Sequence, residues 1–91
     1  MTEPNDIREP QPLGAAKRGY SGLIQRLDVR DAGSALAADE LESRLIELGF
    51  VEGARVEILH EGAIARDPIA VRVDNITIAL RRREAMAVVV Q

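Results

Sequence analysis

The sequence predicts a mainly β domain: a small barrel of about five short strands, with one α-helix inserted after the first strand. Three observations carry that expectation. Apolar and polar residues alternate over Arg55–His60, Ile69–Val73 and Ile76–Leu80, the period of half-buried strands. Ahead of them, Leu41, Leu45 and Leu48 recur at helical spacing and form one apolar stripe. Turn residues then punctuate the chain closely, and short strands joined by tight turns suggest a barrel.

Composition narrows the function classes. A chain of 91 residues is one small domain. Hydrophobic residues make up 46%, and Tyr20 and Phe50 are the only aromatics, so the core must be aliphatic. There is no cysteine, which removes disulfides, thiolate zinc sites and thiol catalysis. A secreted domain this small would usually need disulfide staples, so a cytoplasmic location is expected. No apolar run is long enough to span a bilayer, and MTEPNDIREPQPLG lacks the basic and apolar regions of a signal peptide. The chain is therefore expected not to insert in a membrane. Its net charge of −3 argues against a nucleic-acid binder.

Residues 1–11 read as a flexible tail, rich in Pro and poor in large apolar side chains, and 12–91 as the folded domain. YSGLIQRLDV, residues 20–29, reads as the first strand. For the helix, Asp39 is the expected N-cap with Glu42 completing a capping box, and Ser34 is a rival start. Ile46 is expected to widen the leucine stripe. Gly49 falls where a helix wants a left-handed residue after its C-cap, with Phe50 folding back on Leu45. Val51–Ala54 then reads as a type II turn with Gly53 at the position that requires positive φ. Val56 and Ile58 point inward on the next strand, and Glu61–Asp67 reads as a loop. Asp67-Pro68 opens the following strand as a structural turn, since Pro at a strand's first position loses no ladder bond. Asp74-Asn75 makes a two-residue hairpin turn, after which Ile76, Ile78 and Leu80 face inward. RRREA reads as a short polar break, a single helical turn, before the last strand MAVVV.

Candidate chemistry is sparse. His60 is the only histidine, and Glu57 and Glu61 stand near it in sequence. At odd separation on a strand Glu57 and His60 point to opposite faces, and a transition-metal site wants three or four ligands. His60 therefore reads as a solvated strand residue, and no metal ligand set is assigned. Arg81, Arg82 and Arg83 form a charge run that reads as a solvated turn, or as a protein contact because arginine is enriched at interfaces. No nucleophile–base trio, phosphate loop or paired-carboxylate motif is present, so no enzyme activity is expected and no cofactor is required.

The order of motifs carries more. LESRLIELGFVEGARVEIL, then DPIAVRV, then ALRRREAMAVVV strongly resembles the FeoA family of small cytosolic proteins of bacterial ferrous-iron uptake. The family pattern maps onto Arg44–Gly49, Gly53, Arg55–Leu59, Asp67-Pro68-Ile69, Asp74-Asn75 and Ala79–Arg82, and the likeness covers about 12–91. Two departures stand out. Ala63-Ile64-Ala65-Arg66 replaces a run that often holds Pro and Gly, and Glu52 stands where Pro commonly precedes the turn glycine.

The resemblance implies a Src-homology-3-like barrel and a role as an accessory of the membrane transporter FeoB, acting on its cytosolic GTP-binding part. It also implies kinship with the C-terminal domain of DtxR-type repressors, though this chain has no room for their other domains. The expected protein-contact residues are Ile64 and Arg66 in the Glu61–Asp67 loop, and Arg81, Arg82 and Arg83. The alternative is a regulatory module that weakly binds a divalent metal such as Fe2+ through carboxylates and His60. An open barrel also has edges that can pair between copies, which allows a homodimer.

Overall fold

The computed structural model describes residues 9–30 and 37–91. Most of the expected tail, 1–11, and the alternative helix start at Ser34 lie outside the described residues. Six strands form one antiparallel sheet in the order β1-β6-β2-β3-β4-β5. They are β1 (Gln11–Pro12), β2 (Ser21–Leu27), β3 (Arg55–Ile64), β4 (Asp67–Val73), β5 (Ile76–Leu80) and β6 (Val88–Val90). Helix α1 (Ala38–Glu47) lies between β2 and β3, and one short helix, α2 (Arg82–Ala85), joins β5 to β6. The SH3-like expectation holds, with one strand more than counted from sequence. The extra strand, β1, is two residues long and pairs Gln11 with Val90 and Pro12 with Val89. So short a strand has no alternation to read. The sheet is curled but not closed, since β1 and β5 are its two ends.

β2 makes the curl. Its first residues pair with β3 and its last with β6, and the register shifts between Ile24 and Arg26. A bulge of this kind bends a strand and increases its twist. The concave side holds an aliphatic core that includes Leu13, Ile24, Leu41, Leu45, Phe50, Val56, Ile58, Ile69, Val71, Leu80, Val88 and Val90. Each of these side chains is at most 2% exposed.

Both punctuating glycines do what their positions require. Gly49 has φ 104°, and the helix closes with Gly49 N–H donating to Ile46 O at 3.0 Å and Phe50 N–H to Leu45 O at 2.9 Å. This is the Schellman pattern, and it drives Phe50 fully into the core. Gly53 has φ 87°, and Ala54 N–H donates to Val51 O at 3.0 Å. A side chain at Gly53 would meet nothing within 4 Å, so that glycine answers to the backbone alone.

Several expectations need correction. Asp39 is not the N-cap: the helix starts two residues earlier than a cap there would set, at Ala38, capped by the extended Ala37 without a side-chain bond. Asp39 sits in the first turn, where its carboxylate accepts the Glu40 N–H at 3.0 Å and suits the positive end of the helix. Ile46 does not widen the buried stripe; it is 48% exposed, while Leu41 and Leu45 are buried and Leu48 packs half-buried against the core. On β5 only Leu80 is fully buried, Ile78 is half-buried and Ile76 is 62% exposed. That strand lies at the end of the sheet, so its inward face runs out past the core. The Asp74-Asn75 turn is as read, with Asp74 at φ 53° and Val73 paired with Ile76.

The Glu61–Asp67 segment is not a loop. β3 continues to Ile64, and only Ala65 and Arg66 form the turn, both at φ 57°. Two such residues define the primed hairpin turn, which usually takes Asn or Gly. Nothing in Ala-Arg signals it. The Asp67-Pro68 bond at the start of β4 is cis.

Candidate protein-contact site

Two irregularities in the β3–β4 pairing shape the end of the molecule that carries the candidate residues. Ile58 pairs with Val71, but His60 pairs with Ala70, so Leu59 is the extra residue of a bulge. The side-chain parity of β3 is thereby reversed until the next irregularity. Glu61 pairs with the buried Ile69 and turns toward the interior end of the barrel. Glu57 and His60, expected on opposite faces, share the outer one. Glu57 is already engaged there, accepting a bond from Arg72 at 3.1 Å.

The second shift lies between Glu61 and Ile64, where Gly62 and Ala63 face Pro68. A Cβ on Gly62 would stand 2.1 Å from the Asp67 carbonyl oxygen, so only glycine allows the two strands to approach this closely.

Arg82 is the hub. Its guanidinium donates to Arg66 O at 2.7 Å, Gly14 O at 3.0 Å, Ala16 O at 2.6 Å and the Glu61 carboxylate at 2.7 Å. Its backbone N–H donates to the Asp67 carboxylate at 2.9 Å. One residue thus ties the hairpin tip, the turn Leu13–Ala15 and the start of α2 together. The Arg82–Glu61 ion pair is sheltered, with side chains 18% and 20% exposed. Glu84, buried in α2, accepts the Arg81 N–H at 3.2 Å and a bond from Arg44 of α1 at 3.2 Å. α2 is therefore pinned on both sides.

This arrangement sorts the residues singled out in the sequence. Arg82 spends its donors inside the molecule. Ile64, Arg66, Arg81 and Arg83 are exposed, with Ile64 at 84%. The Arg82 bonds gather them at one end, together with exposed Arg18, whose N–H reaches the Glu61 carboxylate at 3.3 Å. The result is an exposed apolar tip that shares its end of the molecule with exposed arginines, on a chain whose net charge is −3. Gly49 and Gly53 lie in the helix-to-β3 connection, and Asp67 and Pro68 directly follow the hairpin turn at the start of β4. Sequence reasoning placed Glu61 and Gly62 in the candidate segment without their roles as ion-pair partner and close-approach glycine, and it missed Arg18. The parity switch that aims Glu61 inward left no mark in the alternation.

Elsewhere, an open groove of about 990 Å³ runs along β2, with Leu23, Arg26, Glu52, Arg55 and Gln91 among its walls. The Gln25 side chain donates to that of Gln91 across it. Asp28, near the end of β2, has its pKa lowered to about 2, mainly by the Arg30 side chain that donates to it. Among the described residues no group of three or more His, Asp or Glu converges as metal ligands. Nor is any helix among them long and apolar enough to cross a membrane.

The described residues thus form a curled six-stranded sheet of the SH3-like class with an exposed apolar tip. The family profile described as FeoA domain matches residues 11–91, and the chain belongs to the FeoA family, a family associated with ferrous-iron transport. The structure is similar to that of Stenotrophomonas maltophilia FeoA complexed with zinc, a procaryotic SH3 domain protein described as possibly acting as a ferrous iron transport activating factor. Identity is 32%, with 87% of each chain covered and a TM-score of 0.69. Iron(II) transport protein A from Clostridium thermocellum shares 33% identity over 89% of this chain and 44% of that one, with a TM-score of 0.72. A T. acidophilum IdeR structure shares the fold at 20% identity, covering 100% of this chain and 36% of that one, with a TM-score of 0.68. No curated protein sequence matches.

Proposed function

We propose that this protein is a non-enzymatic cytoplasmic adaptor of ferrous-iron uptake that docks on the cytosolic GTP-binding part of a FeoB-type transporter. One observation carries the choice of surface. Ile64, 84% exposed, projects from a hairpin tip whose Arg66 carbonyl is bonded by Arg82, at the end of the molecule where Arg18, Arg66, Arg81 and Arg83 are exposed. A large apolar side chain on a fixed tip loses little entropy on docking, and arginines around an apolar centre suit a protein partner with acidic patches. Family membership supplies the biological setting.

The test is a titration of the labelled protein against the soluble GTP-binding domain of the transporter. Ile64→Asp is expected to weaken binding by about tenfold or more, the range of an interface anchor. It should leave the fold intact, because the side chain is already in water. No binding of the wild-type protein at high micromolar concentration would sink the adaptor reading. Unchanged affinity of Ile64→Asp would move the contact to another surface.

The alternative, a module that itself weakly binds a divalent metal, draws on the relative crystallised with zinc. Geometry favours the adaptor, since Glu57 is committed to Arg72 and Glu61 to Arg82. Calorimetric titration with Zn2+ separates the two. Saturable heat that disappears in His60→Ala would support the metal module; the adaptor reading expects the same trace with and without His60.

A further inference from the structure

β5 ends the sheet, and among the described residues no strand pairs with its outer side. Its register with β4 determines which backbone groups are left over. Val73 and Ile76 flank a two-residue turn, so Val73/Ile76, Val71/Ile78 and Ile69/Leu80 are the hydrogen-bonded pairs. Ile76, Ile78 and Leu80 therefore direct their N–H and C=O groups to β4. Thr77 and Ala79 direct theirs outward, as a template for another strand.

Sheet edges are commonly blunted by a charge, a proline or a bulge. The segment ITIAL carries no charge and no proline, and it pairs with β4 without a register shift. The opposite end of the sheet is the two-residue β1, which contains Pro12. The side chains of β5 tell the same story. Ile76, Ile78 and Leu80 have the alternation of a buried face, yet exposure rises from 1% at Leu80 to 62% at Ile76. Towards Ile76 this face extends past the core of a single chain.

We propose that β5 is a homodimer interface, pairing antiparallel with β5 of a second copy about a twofold axis at Ile78. In this register Thr77 of each chain exchanges both backbone bonds with Ala79 of the other. Ile78 meets its own counterpart in a non-hydrogen-bonded pair, and Ile76 lies opposite Leu80. The same register places Asn75 opposite Arg81, so that the exposed Asp74 of one copy approaches the exposed arginine end of the other. Opposite charges meet at both ends and none meet along the strand, as a self-complementary contact requires. A strand from an unrelated protein would gain the same backbone bonds without the matched charges or the paired isoleucines.

Sedimentation velocity of the full chain over a concentration series tests this. A reversible dimer is expected, with a dissociation constant that rises about tenfold or more in Thr77→Pro. Proline there removes only an outward N–H, so the ladder to β4 stays whole and the thermal unfolding of the monomer should change little. Thr77→Lys, which puts a charge at the edge, should act in the same direction. Because the chain has no cysteine, Ile78→Cys gives a single thiol on the axis. The pair distance of about 4.5 Å expected there is within disulfide reach, so oxidation should yield a covalent dimer faster than Glu42→Cys on α1 does. A wild-type chain that stays monomeric at every concentration overturns the proposal, and leaves β5 to a strand from a different protein. A dimer indifferent to both Thr77 variants overturns it as well, as does an Ile78→Cys chain that cross-links no faster than the Glu42→Cys chain.

Discussion

Arg82→Ala is expected to destabilise the protein by about 3–5 kcal/mol, the scale of a sheltered ion pair broken by removing one partner. Its guanidinium satisfies three carbonyl oxygens and one carboxylate, and the side chain is only 18% exposed. Without it Glu61 keeps a charge that the bulge has turned inward, and the carbonyls of Gly14, Ala16 and Arg66 lose a donor. A chain of this size has roughly 5–14 kcal/mol of stability in all, so much of the margin goes. Lysine should rescue only part of the loss, because one ammonium cannot reproduce a planar fork spread over four acceptors. Urea unfolding of wild type, Arg82→Ala and Arg82→Lys measures both steps. A loss under about 1 kcal/mol for Arg82→Ala would mean that the hairpin tip and the Leu13–Ala15 turn hold without the hub. The outcome also bears on function, since the hub fixes the presentation of Ile64 and Arg66.

Gly62→Ala is expected to cost about 3 kcal/mol, the upper range for overpacking, although it adds one methyl group to a half-buried position. The added Cβ would stand 2.1 Å from the Asp67 carbonyl oxygen and 2.5 Å from its carbon, and both are backbone atoms without rotamers to escape into. Relief requires the two strands to part, which pulls Asp67 from the Arg82 N–H and the tip from its anchor. Gly53→Ala serves as the contrast: its Cβ meets nothing within 4 Å, so only the positive φ is penalised, by about 1 kcal/mol. If equilibrium unfolding ranks Gly53→Ala as the worse of the two, the close approach at Gly62 is not what the fold depends on.

Much of this was legible along the chain. The Gly49 helix stop, the Gly53 turn, the Asp74-Asn75 hairpin and the single helical turn after β5 all came from residue types whose backbone preferences are strong and local. The order of those signals also pointed to the FeoA family. The errors have one kind of cause. Asp39 looked like a cap because it precedes the leucine stripe, but the helix began at an alanine that no side chain marks. Ile46 and Ile76 looked buried because alternation and helical spacing say which side a residue faces. They do not say where the core ends.

The candidate site was less legible than the fold. Ile64 and Arg66 drew notice as a departure from a familiar pattern, and the arginine run as a charge cluster. That Arg82 belongs inside while Arg81 and Arg83 belong outside depends on acceptors that lie 16 to 68 residues away in sequence.

The helix, most of the strands, the glycine and Asp-Asn turns and the family follow from the residues in order, because each is written in short-range preferences of a few neighbours. Only the tertiary structure decided the bulge at Leu59, the extension of β3 to a primed turn at Ala65-Arg66, the inward aim of Glu61 and the hub at Arg82. A bulge inserts one residue and reverses the side chains that follow until a second irregularity restores them, and whether it forms depends on the fit of one strand against another.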